Sequence, residues 1–143
     1  MTVDRTKSLT EIYHGWISST VDEKGFEIPH GLIIDQAGGM TVVALAVPPE
    51  QAYQVMIEQW GRGASEAIFA LDRFGKPDQG TTLGDVMAGF HFTRDAAPRP
   101  FIVEYQHSPR IVKPIEWNNL FWNGALYREL NANLRKLLGV SQL

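Results

Sequence analysis

One histidine and one glutamate are spaced so that they could form an acid–base pair. His91 lies between two phenylalanines in the segment GFHF, and Glu104 lies in the segment FIVEYQH. Alternate residues of a strand point to opposite faces, so we expect both side chains on the face away from these phenylalanines. If residues 94–100 form a simple hairpin, His91 and Glu104 become cross-strand neighbours. A carboxylate beside an imidazole orients the ring and raises its basicity, as a general base requires.

A second pair of charged residues could complete this site. Asp72 and Arg73 alternate in the preceding segment, EAIFALDRF, so one of them joins the pair, depending on the strand register. The candidate catalytic residues are therefore His91, Glu104, Asp72 and Arg73. A His–Glu contact is also a common cross-strand pair without a catalytic role. The sequence leaves open whether the protein is an enzyme.

The segment GKPDQGTTLGD at 75–85 has the composition of a loop that could hold a ligand. A phosphate loop requires glycines that lead into GK[ST], whereas Gly75 and Lys76 come first here and are followed by Pro77. The aspartates miss the spacing of a calcium loop, the histidines are scattered, and the chain has no cysteine. We therefore predict no metal and no cofactor. Turn chemistry, with a cap on one short helical turn at residues 82–85, predicts a hairpin connection.

An aromatic cluster in the segment PIEWNNLFWNGALYREL is the candidate binding site. Tryptophan and tyrosine combine a large apolar area with a polar group, which is typical of interfaces and ligand pockets. The candidate binding residues are Trp117, Asn119, Phe121, Trp122 and Tyr127. These aromatic residues could also pack on the sheet as core, and the leucine stripe that continues to Leu138 could pair with a second copy.

The positions of these residues depend on an alternation of helices and strands. Ser8 and Glu11 form a capping-box pattern that predicts a first helix, although residues 12–17 also suit a strand. The predicted elements are a helix from Ser8 to about Ser19, strands 31–35 and 40–47, a helix that begins at Pro48-Pro49 and ends before residues 61–63, strands 66–74, 85–93 and 101–107, and a helix from about Trp117 to Leu138.

This order, α-β-β-α-β-β-β-α, predicts an α+β fold. Short connections favour a mainly antiparallel sheet of about five strands with the helices packed on one face. The run MTVVALAV at 40–47 is apolar at nearly every position. It is therefore predicted to lie at the centre of the sheet, with both faces covered.

Composition limits the class of protein. The 143 residues predict a single globular domain, 1–143, with residues 1–7 frayed. A net charge of −3 without a basic stripe argues against direct nucleic-acid binding. The N-terminal residues lack the apolar run of a signal peptide, and no stretch is long enough to span a bilayer. We expect a soluble cytoplasmic protein.

Three functions are consistent with these features, and the third, nucleic-acid mimicry or binding through a local patch, is disfavoured by the net charge. The absence of catalytic motifs together with the aromatic cluster favours a small cytosolic binding or regulatory module that recognises a protein partner or its own copy as a homodimer. The alternative is a small hydrolase or isomerase that uses the His91/Glu104 pair.

Overall fold

The computed structural model describes residues 8–23, 26–75, 77, 81–96 and 98–117. This part of the chain forms two helices, α1 (Leu9–Thr20) and α2 (Pro49–Trp60). Its strands are β1 (His30–Ile34), β2 (Met40–Ala44), β3 (Glu66–Phe74), β4 (Asp85–Thr93), β5 (Arg99–His107), β6 (Arg110–Val112) and β7 (Glu116–Trp117). Trp117 therefore ends a strand, whereas the sequence predicted that it begins a helix. The rest of that predicted helix lies outside the described residues.

The strands form one antiparallel sheet in the order β2-β1-β3-β4-β5-β6, with β7 also paired to β5. The α+β class and the antiparallel sheet are confirmed, and the order of elements agrees through β5. The count of about five strands is too low. Strands β6 and β7 have only three and two residues, which is too short to show an alternating pattern in the sequence.

The capping box at the start of α1 forms as predicted and decides between helix and strand. The Ser8 hydroxyl accepts a hydrogen bond from the Glu11 backbone N–H at 3.3 Å, and the Glu11 carboxylate accepts one from the Ser8 N–H at 3.4 Å. The two contacts satisfy N–H groups that have no partner within the helix. The helix then buries Leu9, Tyr13 and Ile17 along one side.

The two helices pack on opposite faces of the sheet, so the prediction that they share a face is wrong. The α1 face contains Ile68, Ala70, Met87, Phe101, Val103 and Tyr105, which pack with α1. The α2 face contains Ala67, Phe69, Leu71, Val86, Ala88, Phe90, Phe92 and Ile102, which pack with α2. Because successive residues of β3, β4 and β5 are apolar, both faces must be shielded from water.

Strand β2 lies at the edge of the sheet, so its predicted central position is also wrong. Within the described residues it pairs only with β1. Thr41 and Ala44 are exposed, and Val42 is 40% exposed. An apolar strand is therefore open to solvent at the position where proteins usually place charges, prolines or bulges.

Among the described residues, neither helix has the length and apolar character needed to cross a bilayer.

Candidate functional site

The structure does not bring His91 and Glu104 together. The register between β4 and β5 pairs His91 with Arg99 and Glu104 with Val86, which separates the two candidates by about 16 Å along the strands. His91 lies four residues after Met87 on the α1 face, whereas Glu104 lies two residues after Ile102 on the α2 face. The predicted pair is wrong because β5 carries buried apolar residues on both of its faces. The apolar residues of β5 therefore do not show which of its faces it shares with Phe90 and Phe92.

Glu104 instead holds the end of the β3–β4 loop. Its side chain is 1% exposed, and one carboxylate oxygen accepts hydrogen bonds from the N–H groups of Thr82 at 2.6 Å and Leu83 at 3.1 Å. The other oxygen lies 3.2 Å from the Lys113 ammonium group, which also donates to the Thr82 hydroxyl at 2.6 Å. Burial opposes ionisation, but these donors outweigh it, so the pKa of Glu104 lies below its ordinary value.

The hairpin interpretation of the GKPDQGTTLGD segment is confirmed for its described part. Strands β3 and β4 are antiparallel neighbours, and the Gly75 N–H donates to the Gly84 carbonyl at 2.8 Å where the loop closes. The short helical turn predicted at residues 82–85 does not form. Residues 82–84 are bends instead, and β4 begins at Asp85. The backbone N–H groups there are bound by Glu104 instead.

The partner of His91 is Glu66, at the start of β3. The His91 Nε2 atom lies 2.5 Å from a Glu66 carboxylate oxygen, and the two side chains are 18% and 31% exposed. The Trp117 ring lies 6.1 Å from the His91 ring, and the Arg99 guanidinium group stacks 4.1 Å above Trp117. Sequence reasoning missed Glu66 and Arg99. A trial of alternative strand registers could have found both, since each lies on a strand next to His91 on the same face.

Asp72 and Arg73 do not join this group. Asp72 lies on the α1 face opposite Met87, about 13 Å along β3 from the position opposite His91. Its carboxylate accepts a hydrogen bond from the Tyr105 hydroxyl, and burial raises its pKa above the ordinary value. Arg73 lies on the other face, opposite Val86. The four candidate catalytic residues are therefore distributed over both faces.

Two of the protein's cavities are lined by described residues. The first, of about 300 Å³, is lined by Thr10, Glu11, His14, Pro114, Ile115 and Trp117. The second, of about 480 Å³, lies between the β1–β2 turn and the end of α2. Neither is lined by His91 or by the other candidate catalytic residues. Of the candidate binding residues, Trp117 lines the first cavity; Asn119, Phe121, Trp122 and Tyr127 lie outside the described residues.

Metal ligands do not converge in the part of the chain that the structure describes, where no three acidic or histidine side chains lie close enough to hold an ion.

A buried histidine–tyrosine pair joins α1 to β1. The Tyr13 hydroxyl lies 2.8 Å from His30 Nε2, and His30 Nδ1 lies 3.1 Å from the Ile28 carbonyl. Because a carbonyl only accepts, Nδ1 carries the proton and Nε2 accepts from Tyr13. Both ring nitrogens are satisfied, and Tyr13 is fully buried. The pair therefore stabilises the contact between helix and sheet.

This pair predicts a dependence of stability on pH. Burial lowers the pKa of His30 from 6.5 to about 4. Between these values the unfolded chain binds a proton that the folded chain does not, so stability is lost as the pH falls from 6.5 to 4. We expect His30 to reduce the free energy of unfolding by about 3 kcal/mol over this range. Urea unfolding of wild type and His30→Gln measures the difference, because the variant lacks this titration.

An NMR titration of the imidazole supplies an independent check. We expect the His30 ring to stay neutral at pH 5 in the folded protein and to be protonated at that pH in the urea-unfolded protein. Protonation of the folded His30 ring near pH 6.5 would contradict the prediction.

The outer edge of β2 has a defined set of backbone groups directed away from the sheet. The Leu45 N–H donates to the Pro29 carbonyl at 2.7 Å, and the Gly39 carbonyl accepts from the Asp35 N–H at 3.0 Å, so odd-numbered residues of this strand bond toward β1. Because these directions alternate in an antiparallel strand, the N–H and C=O groups of Met40, Val42 and Ala44 point outward. The structure thus offers three donor–acceptor pairs along an apolar edge.

The opposite edge of the sheet is built differently. Strands β6 and β7 occupy it, and neither exceeds three residues. Pro109 and Pro114 flank β6, and Arg110 and Lys113 add charge there. Short strands, prolines and charges all hinder pairing with another strand. Only the β2 edge combines length, apolar character and lack of charge among the described strands.

The chain matches no protein-family model, no curated protein and no solved structure.

Proposed function

We propose that the protein is a binding module that recognises another polypeptide by accepting an extended segment along the outer edge of β2. The observation that carries this proposal is the exposure of an uncharged, apolar strand with outward N–H and C=O groups at Met40, Val42 and Ala44. Strand addition uses such groups for affinity and the alternating side chains beside them for specificity.

The side chains beside this edge supply two different surfaces. Met40, Val42 and Ala44 lie on the α1 face, where Val42 is 40% exposed. Thr41 and Val43 lie on the α2 face, and Val43 packs against its core. A bound segment therefore contacts apolar side chains on both sides of the sheet. We expect its sequence to be apolar at every second position or at every position.

An acid–base activity at His91 has weaker support. Its contact with Glu66 is half-buried, yet neither of the two cavities described above is lined by His91. A general base requires space in which a substrate can reach it. The edge of β2 needs no such enclosure, because a strand binds along an open surface.

Peptide selection tests the proposed function. Wild-type protein immobilised at low density is used to select from a random peptide display library, with the Val42→Pro variant as the counter-selection. The Val42 N–H points away from β1, so proline there removes an outward donor and leaves the β1–β2 ladder intact. We expect apolar, extended peptides that bind the wild type and lose at least about tenfold in affinity on the variant.

The control is Val42→Thr, which keeps the N–H and a β-branched side chain. Selected peptides should bind this variant nearly as well as the wild type. Recovery of peptides that bind Val42→Pro and wild type equally would reject the edge as the recognition surface.

A further inference from the structure

The sequence of β2 and its position in the sheet disagree. Residues 40–47 are apolar at nearly every position, which is typical of a strand covered on both faces and paired on both sides. Among the described residues this strand is paired on one side only, and Thr41, Val42 and Ala44 are exposed. A second strand on the outer edge would give β2 the surroundings that its composition fits.

We propose that this second strand is β2 of another copy of the same chain, paired antiparallel about a two-fold axis at Val42. The inference rests on the proposed function and names the partner for that same edge. A two-fold contact requires a surface that is complementary to itself, and an antiparallel strand pair meets this condition by its geometry.

The hydrogen-bond directions select the register. With the axis at Val42, each Val42 exchanges two hydrogen bonds with its counterpart, and each Met40 exchanges two with the partner's Ala44. This alignment uses all three outward donor–acceptor pairs of both strands. Moving the axis to Thr41 would pair Met40 with the partner's Val42 and leave the groups of Ala44 outside the strand pair. The register centred on Val42 therefore makes the largest number of bonds.

Charge and side-chain size favour a second copy over an unrelated strand. Residues 36–49 contain no charged side chain, so two copies meet in antiparallel orientation without like charges opposite one another. A partner that carries charges would gain no opposite charge from this segment. In the register centred on Val42, the two Val42 side chains lie opposite one another, and Met40 lies opposite the smaller side chain of the partner's Ala44.

A single cysteine tests both the pairing and its register. The chain has no natural cysteine, so Val42→Cys introduces one thiol per copy. Hydrogen-bonded antiparallel neighbours have Cα atoms about 5.5 Å apart, within the range of a disulfide. Ala44→Cys is the matched control, because two such residues would lie about 14 Å apart across the axis. Under mild oxidation we expect most of the Val42→Cys chain, and little of the Ala44→Cys chain, to form a covalent dimer.

The oligomeric state of the protein in solution gives a second measurement. We expect wild type to have the mass of a dimer in size-exclusion chromatography with light scattering. Val42→Pro removes two of the hydrogen bonds across the axis, so its dissociation constant should rise about thirtyfold, while Val42→Thr stays dimeric. Circular dichroism and thermal melting are used to check that each variant is folded.

The outcomes separate this inference from the proposed function. A monomeric wild type, with Val42→Cys and Ala44→Cys cross-linking equally slowly, overturns the second copy as the partner. If selected peptides still bind that monomer and not Val42→Pro, the proposed function stands without the inference. A dimer that Val42→Pro dissociates, with cross-linking specific to Val42→Cys, supports the inference even when no peptide is recovered.

Discussion

Replacing Gly89 with alanine is expected to destabilise the protein by about 4 kcal/mol or more, which is a large fraction of the stability of a typical domain. Gly89 lies in the middle of β4, opposite Ala70 on one side and Phe101 on the other. A Cβ atom there would overlap the Phe69 carbonyl oxygen and lie 2.8 Å from the Ala70 Cα atom. Both obstacles are backbone atoms of a central strand, so the sheet must open to admit the methyl group.

The matched control is the same substitution at Gly15. That residue is exposed in the middle of α1, and a Cβ atom there would meet nothing within 4 Å. Alanine is favoured over glycine inside a helix, so Gly15→Ala should raise the free energy of unfolding by about 1 kcal/mol. Chemical denaturation measures both changes in the free energy of unfolding, which we expect to fall for Gly89→Ala and to rise for Gly15→Ala. A Gly89→Ala protein as stable as wild type would show that β3 and β4 are not packed as described.

The second large effect is expected at Glu104. Glu104→Ala should lower the free energy of unfolding by about 3 kcal/mol, because it removes a buried carboxylate that holds Thr82, Leu83 and Lys113. The Lys113 side chain is 32% exposed and regains contact with water, so we expect less than the full cost of an unpaired buried charge. Urea unfolding at pH 7 measures the loss.

Two comparisons make the Glu104 result specific. Glu66→Ala removes a carboxylate that is 31% exposed, and the expected loss is below about 1 kcal/mol. Glu104→Gln keeps the shape of the side chain but removes its charge, and it therefore tests the contribution of the ionised carboxylate. Because the pKa of Glu104 is depressed in the folded state, its contribution is present above the unfolded pKa of about 4.5 and is lost as the pH falls through the folded value. Equal losses for Glu104→Ala and Glu66→Ala at pH 7 would contradict this account.

The local signals in the sequence predicted the elements well. The capping box of Ser8 and Glu11 and the Pro48-Pro49 pair at the start of α2 mark helix starts through residues within a few positions of one another. The hairpin at 75–84 follows from glycine and proline in the same way. In each case the determining contacts lie within a few residues, so pattern and structure agree.

The predicted pairing of His91 with Glu104 was wrong because it depends on contacts between strands that are distant in the sequence. A one-residue error in face assignment moved Glu104 from the α2 face to the side of His91, because both faces of β5 are apolar and alternation gave no unique core side. Glu66 was missed since its contact with His91 depends on the β3–β4 register, not on spacing in the chain. The position of β2 likewise depends on strand order, which composition does not encode.

The difference between the two edges of the sheet limits how many copies of the chain can join one sheet. A sheet with two receptive edges adds copies without end, as fibrils do, whereas a sheet with one receptive edge is complete after a single pairing. When two β2 edges meet, the outer borders of the combined sheet are the short strands beside Pro109, Arg110 and Lys113, which resist further addition. An uncharged, apolar strand can therefore remain at a surface without driving the chain toward open-ended assembly.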